Sequence, residues 1–138
     1  MESGILQLRS TKNMQLIDIT PNLESSLQEC SSEVGLLYLF NPHTTAGLTI
    51  NEGADPDVKK DILSALSEMV PKLNYLHTEG NSPSHIMTLL TGSSLLIEVH
   101  GRQLMLGTWQ RVFFCEYDGP RSRKIRWKFV ADPARQDR

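Results

Sequence analysis

Residues 76–86 hold four side chains that could do chemistry and only two aliphatic ones. The four are His77, Glu79, Asn81 and His85. A neutral imidazole is a good ligand for zinc and similar metals, so two nearby imidazoles could share one metal ion or one anion. The spacing of the two histidines matches no standard zinc motif, and the alternative is a pair of unrelated surface histidines.

The neighbouring residues indicate how this stretch is positioned. Asn81 or Ser82 can cap a helix, and Pro83 suits the first helical position. His85 then lies in the first turn of that helix, while His77 lies in the loop before it. The pattern therefore predicts one imidazole on a loop and another at a fixed helix end.

A second polar cluster flanks a short apolar strand and comprises His43, Thr44, Thr45, Asn51, Glu52 and Asp55. Asp55 is most simply a helix cap, whereas His43 and Glu52 could act as metal ligand, base or substrate anchor. Together, His43, His77 and His85 would give the three-histidine set of a catalytic zinc site. No spacing rule places His43 beside the other two histidines.

A third cluster combines Gly107, Thr108, Trp109 and Gln110 with the charged residues 118–124. Trp109 could form a flat wall of a site, and Arg121 or Arg123 could bind a phosphate or carboxylate through two hydrogen bonds. The alternative is a core tryptophan followed by a solvated row of cations.

The apolar patterns predict the elements that carry these clusters. Helices are expected at residues 20–30, at 56–69 and from Pro83 to the C-cap Gly92. Strands are expected at residues 5–9, 14–19, 34–40, 48–50, 95–99, 104–106, 109–117 and 124–130. The result is an α+β fold in a single domain, 1–138, with a large, mostly antiparallel or mixed sheet, or two packed sheets, and two or three helices.

Three finer expectations concern the strands and the carboxyl terminus. The first two strands should form an opening hairpin, and the last two a long closing hairpin around Asp118, Gly119 and Pro120. The uninterrupted apolar run at residues 34–40 predicts a central strand with both faces covered. Residues 131–138 lose the pattern and are expected to fray.

Composition restricts the classes of function. The 138 residues are 39% hydrophobic and 22% charged with a formal charge of -2, which argues against a general nucleic-acid binder but leaves room for a local anion site. The two cysteines form no CxxC pair, and no apolar run is long enough to span a membrane. Since no signal-peptide pattern is present either, the expected compartment is the cytoplasm.

Three blocks of sequence carry a resemblance to a known family. They read PHTTAGLTINEGADP at residues 42–56, HTEGNSPSH at 77–85, and GTWQ with EYDGPRSR within 107–123. In order and spacing they resemble the YjbQ-like family, also known as secondary thiamine-phosphate synthase proteins, and the likeness covers nearly the whole chain. The resemblance implies a small homotrimeric α+β fold with mixed sheets.

The resemblance also implies that the three blocks meet at one site. It makes His43, His77 and His85 the metal ligands, with zinc or a similar ion expected and magnesium as the alternative. Roles in catalysis would fall to Asn51, Glu52, Glu79 and Asn81. Substrate binding would fall to Thr44, Thr45, Trp109, Gln110, Arg121 and Arg123, with the GTWQ and DGPRSR segments bordering the cleft, in one version from a neighbouring subunit.

Three functions are compatible with these residues. The resemblance implies a transferase that joins a pyrimidine pyrophosphate to a thiazole phosphate, and departing pyrophosphate needs cations or a metal to stabilise its charge. Metals for that chemistry are usually oxygen-bound magnesium, whereas three histidines favour zinc. A metal-dependent hydrolase of a small phosphorylated or heterocyclic compound is therefore the second hypothesis, and a non-catalytic metal- or ligand-binding trimer is the third.

Overall fold

The computed structural model describes residues 2–133, which form eight strands and three helices. The strands are β1 (Glu2–Arg9), β2 (Gln15–Asp18), β3 (Gly35–Phe40), β4 (Ala46–Glu52), β5 (Ser94–His100), β6 (Gln103–Leu104), β7 (Gln110–Glu116) and β8 (Ser122–Ala131). The helices are α1 (Thr20–Gln28), α2 (Pro56–Met69) and α3 (Ser82–Thr91).

The strands form two sheets. One has five strands in the order β1-β8-β3-β5-β6, and the other has three in the order β2-β7-β4. Every pairing between described strands is antiparallel. The predicted α+β fold, with mostly antiparallel packed sheets and two or three helices, is therefore confirmed, and the described strands show no parallel pairing of the kind that the mixed sheets implied by the resemblance would contain.

Two hydrophobic clusters hold the layers together. The larger one joins both sheets and α1, with Leu23, Leu39, Phe114 and Ile125 fully buried. The smaller one lies on the other face of the three-stranded sheet, where Phe113 and its neighbours pack against α2 and α3. Strand β7 is buried on both faces because it lies between these clusters, and its apolar side chains gain the free energy of leaving water on either side.

The three predicted helices are confirmed, whereas the predicted capping of α3 by a side chain is not observed. Proline lies in the first turn of each helix. The Asp55 side chain accepts a hydrogen bond from the Asp57 amide at the start of α2, at 2.9 Å. Helix α3 ends at Gly92, whose φ of 85° suits glycine because it has no Cβ.

Strand β3 lies in the middle of the five-stranded sheet, as expected for its apolar run. The expectation that both of its faces are covered is wrong within one chain. Leu37 and Leu39 are buried, whereas Leu36 and Tyr38 are each 40% exposed. The reason is that no layer of the described chain covers the outer face of this antiparallel sheet.

The two predicted hairpins are also wrong. Strand β1 pairs with β8 in one sheet, while β2 pairs with β7 in the other. The chain therefore forms a long antiparallel ribbon, β1-β2 against β7-β8, that bends from one sheet into the other. At the bend, the Ser10 amide donates to the Arg121 carbonyl and the Gly119 amide to the Asn13 carbonyl, at 3.0 and 2.9 Å. Alternating apolar residues identify such strands but not their partners.

The carboxyl-terminal end of β8 is ordered beyond the point where the sequence pattern is lost. Ala131 is the last residue of β8, and the Asp132 amide still donates to the Val34 carbonyl, so this part of the expected frayed segment is ordered. Residues 134–138 lie outside the described range. Among the helices described, none has the length and apolarity needed to cross a membrane.

Candidate functional site

A cleft of about 330 Å³ opens beside the bend of the ribbon. Three segments that are distant in sequence line it: the β3–β4 connection, the loop that leads into α3, and the β7–β8 connection. Its lining residues are Pro42, His43, Thr44, Thr45, Glu79, Asn81, His85, Asp118, Arg121 and Arg123. The fold thus brings together residues from all three polar blocks of the sequence.

A buried ion pair supports the floor of this cleft. Glu116 is fully buried and Arg123 is 5% exposed. Arg123 donates through Nε to Glu116 Oε1 at 2.9 Å and through Nη2 to Oε2, and Ser10 Oγ donates to the same carboxylate at 2.5 Å. Burial acts to raise the pKa of Glu116, but the hydrogen bonds from Arg123 and Ser10 outweigh it and hold that pKa below its ordinary value.

The β3–β4 connection uses two consecutive carbonyl groups to orient side chains in the cleft. The Thr44 carbonyl lies 2.9 Å from His85 Nδ1, and the Thr45 carbonyl and hydroxyl accept from Arg123 Nη2 at 3.2 and 2.9 Å. Asn41, which is buried, in turn donates to the His43 and Ala46 carbonyls. Thr44 therefore acts here through its backbone, and Thr45 through both its carbonyl and its hydroxyl group.

The hydrogen bond to Thr44 fixes the tautomer of His85. A carbonyl oxygen only accepts, so Nδ1 carries a proton and Nε2 of the neutral ring keeps its lone pair. This ring lies in the first turn of α3, which begins at Ser82 with Pro83 next to it. The sequence prediction of an imidazole at a helix start is confirmed, and the free Nε2 could accept a proton or bind a metal ion.

His77 lies beside His85. The ring centroids are 5.7 Å apart, and the rings meet edge to face at 77°. His77 Nε2 is 3.7 Å from Glu79 Oε2, and both side chains are largely exposed. The two histidines that the sequence placed on either side of a loop are therefore neighbours.

His43 also lines the cleft, but its ring faces a different partner. Nε2 accepts a hydrogen bond from the Lys124 amide at 2.9 Å. That nitrogen therefore bears no proton, and its lone pair is not available to a metal in this arrangement. Burial, and next the charge of Arg123, lower the pKa of His43 and keep the ring neutral.

The described histidines and carboxylates do not form a complete metal site. Within residues 2–133, no group of three or more His, Cys, Asp or Glu side chains is arranged to hold a metal ion. His77 and His85 fit such a role by chemistry and proximity, whereas His43 would first have to leave the Lys124 amide. The three-histidine zinc site stays a prediction, as does magnesium.

The side chain of Asn81 has one buried hydrogen-bond acceptor without a partner among the described residues. Its Nδ2 donates to Asp118 Oδ2 at 3.0 Å, while its Oδ1 is buried and has no protein partner among the described residues. A buried acceptor is costly without a donor. A water molecule or an N–H or O–H group of a ligand in the cleft would satisfy it.

Four of the predicted site residues lie elsewhere. Asn51, Glu52, Trp109 and Gln110 are at the other end of β4, which is seven residues long, so they are roughly 20 Å from the cleft. There Glu52 accepts from the Ala54 and Asp55 amides, and Gln110 accepts from the Gly107 amide at 2.8 Å. Trp109 is 64% exposed beside Glu52. Within one chain, these residues do not join the histidines.

The sequence interpretation gave no role to Ser10 or Glu116 and treated Asp118 only as part of a turn. One signal could have revealed the ion pair. Arg123 shares the two-residue period of Ile125, Trp127 and Phe129 in β8, so it points inward, and a buried arginine requires a carboxylate. Glu116 directly follows the apolar run of β7 and is the natural partner.

Relatives of known sequence and structure place the chain in a family. A UPF0047 protein of Methanocaldococcus jannaschii is 46% identical over 91% of this chain and 92% of its own length, and UPF0047 protein YugU of Bacillus subtilis is 48% identical over 86% and 91%. A crystal structure from Clostridium acetobutylicum, described as an uncharacterized conserved protein of the YjbQ/UPF0047 family, has a TM-score of 0.87 at 46% identity and covers 91% of this chain and 98% of its own.

A hypothetical protein from Aeropyrum pernix has a TM-score of 0.89 at 34% identity, with 96% of this chain and all of that chain covered. The profile of the family described as "UPF0047 protein YjbQ-like" matches residues 4–132, which is almost the whole described range. These matches extend over both sheets, all three helices and the cleft. The chain belongs to the YjbQ-like UPF0047 family.

Proposed function

We propose that this protein is a small-molecule enzyme whose active site is the cleft beside the ribbon bend. The observation that carries the proposal is His85, whose Nδ1–H is held by the Thr44 carbonyl while Nε2 stays free in a polar cleft. A histidine with a fixed tautomer is suited to proton transfer at one defined atom. The substrate is a phosphorylated compound, and the reaction we favour is thiamine-phosphate synthesis.

The cleft residues would divide the tasks as follows. His85 Nε2 would exchange a proton with the substrate, and Asn81 Oδ1 would accept from an amino or hydroxyl group of it. An aminopyrimidine offers such a donor. Arg121 and Arg123 would donate hydrogen bonds to oxygen atoms of the substrate, with Glu116 keeping Arg123 in place. Glu79 would orient His77 or take part in proton transfer.

A divalent metal is a second use of His85 within this proposal. His77 and His85, with Glu79 close to His77, are the residues that would hold it; the ion would then occupy His85 Nε2, and Glu79 would take over the proton transfer. Zinc or a similar ion suits imidazole ligands better than magnesium does. Such an ion would supply positive charge at the bond that breaks, on the His85 side of a departing phosphate or pyrophosphate group. His43 would stay on the Lys124 amide and help shape the cleft.

Hydrolysis of a small phosphorylated or heterocyclic compound is the second candidate. It is favoured by the exposed position of His77 and Glu79 next to His85, since a water molecule could reach this edge of the cleft and lose its proton there. A non-catalytic metal- or ligand-binding protein is the third candidate. It would use the same residues for binding without turnover.

The assembly and compartment are also proposals. We propose a homotrimer, in which the surface formed by Trp109, Gln110, Asn51 and Glu52 borders the cleft of a neighbouring subunit. This would unite the two groups of residues that one chain keeps apart. We propose the cytoplasm as the compartment, which suits the free, buried Cys30 and Cys115.

The test is an assay of the purified protein with the pyrimidine pyrophosphate and the thiazole phosphate, read as thiamine phosphate formed. A panel of phosphate monoesters and pyrophosphates is run in parallel, with released phosphate as the readout. We expect His85→Ala to abolish turnover, while His100→Ala, at an exposed histidine outside the cleft, keeps it. Faster release of phosphate than of thiamine phosphate would favour the hydrolase. Turnover that survives in His85→Ala would exclude the proposed site.

A further inference from the structure

The cationic side chains of the main cleft are already matched by carboxylates. Arg121 Nη2 lies 2.9 Å from Asp118 Oδ2, and Arg123 pairs with Glu116. Glu79 is the second carboxylate of the lining, beside Asp118, and Glu116 lies buried behind Arg123. Two guanidinium groups are thus matched by three carboxylates, two in the lining and one beneath it, so this cleft has no excess positive charge to offer a phosphate group.

A second cleft, of about 410 Å³, has the opposite balance. Its lining includes Arg9, Arg123 and Lys124 and, within the described residues, no carboxylate. Arg9 Nη1 donates to Ser122 Oγ at 3.0 Å, which holds the guanidinium against β8. Neither Arg9 nor Lys124 forms an ion pair in the part of the chain that the structure describes.

Strand register brings these two cations together. In the β1–β8 pairing, Arg9 lies opposite Ser122 and Gln7 lies opposite Lys124. Opposite residues of an antiparallel pair share a face, and so do residues two apart on one strand, so Arg9 and Lys124 are diagonal neighbours. Their positions follow from the sheet and do not depend on a loop. In a chain with net charge -2, such a pair concentrates positive charge at one place.

The two clefts have a common wall. His43 and Arg123 line both of them. His43 is held there by the amide of Lys124, one of the cations of the second cleft. The hydrogen bonds of the nearly buried Arg123 use Nε and Nη2, and none within residues 2–133 uses Nη1. A ligand that extends over His43 from one cleft into the other would contact polar side chains on both sides of the His43 ring.

We propose that this second cleft is the anion subsite of the protein, binding the phosphate or pyrophosphate group of the substrate. The rest of the substrate lies across His43 in the main cleft, near His85 and Asn81. Arg9 would bind two phosphate oxygens through its planar guanidinium, and Lys124 would add a compact charge. This inference rests on the proposed function in that it takes the substrate to be phosphorylated.

The test uses inorganic pyrophosphate and inorganic phosphate as probes of the full chain. Binding is measured by calorimetry at low and at physiological salt, and located by changes in the amide NMR signals of the unmodified protein. We expect saturable pyrophosphate binding, with the largest shifts at residues 7–9 and 122–124. Arg9→Gln and Lys124→Gln should each weaken it about tenfold, because each removes a charge-assisted contact.

Two matched variants decide where the anion binds. Arg126→Gln removes a cation from the same face of β8 but outside the second cleft, and should change the affinity less than about twofold. Arg121→Gln removes the exposed arginine of the main cleft, which would contact the part of the substrate that the pyrophosphate probe lacks, so it should also change the pyrophosphate affinity less than about twofold. Equal losses from Arg126→Gln would show diffuse attraction, and a loss confined to Arg121→Gln would place the anion in the main cleft. Either result, or no saturable binding, would overturn the proposal.

The NMR measurement needs no substitution, so it remains decisive if a variant fails to fold. Binding is also measured without turnover, so a failed synthase or phosphatase assay leaves this result unaffected. Conversely, an active enzyme whose pyrophosphate shifts lie around Asp118 and Arg121 would keep the proposed function and exclude the second cleft.

Discussion

At the scale of single residues, Glu116 joins the stability of the fold to the candidate site. It is fully buried, and its carboxylate accepts from Ser10, Arg123 and the Asp118 amide. A buried carboxylate is tolerable only when a cation and several donors replace the water it has lost. Because Arg123 and the Asp118 turn both border the cleft, this one carboxylate links the stability of the fold to the geometry of the site.

Glu116→Gln should therefore destabilise the protein strongly. The substitution leaves the Arg123 charge buried without a counter-charge, and we expect a loss of about 3–5 kcal/mol in the free energy of unfolding. Urea denaturation followed by circular dichroism measures it. Glu33→Gln is the control, since it removes the exposed partner of a half-buried Arg102 and should cost at most about 1 kcal/mol. Equal losses in the two variants would contradict this account.

His43 should make stability depend on pH. Its pKa is lowered in the folded protein by burial and by Arg123, so the unfolded chain binds a proton near pH 6.5 while the folded chain does not. Stability is then complete above about pH 6.5 and falls as the pH drops toward the lower folded pKa. We expect His43→Gln to flatten the fall between pH 7 and pH 5, as measured by urea denaturation at each pH.

The control for this effect is His100→Gln, at an exposed histidine, which should follow the unmodified protein at every pH. If His43→Gln loses stability with acid as steeply as the unmodified protein, another group is responsible for the acid sensitivity.

At the scale of elements, the starts of α2 and α3 differ although both carry an Asx residue followed by a proline-containing first turn. Asp55 caps α2 with its side chain, whereas Asn81 makes no side-chain cap of α3 and turns toward Asp118. The side-chain amide of Asn81 thus forms a hydrogen bond in the cleft and does not cap its helix. The same local pattern serves stability in one helix and the site in the other.

Asp55→Ala should lower the free energy of unfolding by about 1 kcal/mol, because the Asp57 amide loses its acceptor. Thermal or urea denaturation measures the change. Ser64→Ala, in the exposed middle of the same helix, should be neutral or slightly stabilising because alanine favours helix. A neutral Asp55→Ala would show that the cap contributes nothing and that water replaces it.

At the scale of the whole molecule, the two ends of β4 carry different groups of polar residues. The histidine cleft lies at its start, and Glu52 with Trp109 lies at its end. A single chain cannot bring them together because a strand is stiff and extended. Assembly of several chains can, and this is the physical argument for the proposed homotrimer.

The proposed homotrimer predicts a molar mass near three times the 15.6 kDa of one chain in light scattering. If Trp109 completes a neighbouring cleft, His85→Ala and Trp109→Ala should each lose turnover. Subunits of the two variants, mixed after denaturation and refolded together, should regain about a quarter of the original turnover, because some sites then combine two intact parts. A monomer, or mixtures that stay inactive, would contradict the shared site.

Several features could be predicted from sequence because they depend on local physics. Proline in the first turn marked where each helix begins, with a capping Asp55 at α2, and Gly92 marked where α3 ends. Period-two and continuous apolar patterns identified the strands. The resemblance of three blocks identified the family, and His43, Glu79, Asn81, His85, Arg121 and Arg123 do line one cleft.

Only the tertiary structure decided which strands pair and what surrounds each polar group. Both predicted hairpins were wrong because pairing is a long-range choice: β1-β2 and β7-β8 cross between sheets as one ribbon. That bend buries Glu116 with Arg123 and sets Arg9 beside Lys124. It also places the Lys124 amide where it donates a hydrogen bond to Nε2 of His43. By itself the sequence determined the helices, the strands and the candidate side chains, because residue propensity and apolar period act locally. The hydrogen-bond partners and the net charge of a site were decided only by the tertiary structure, because they depend on groups that folding brings together from distant parts of the chain.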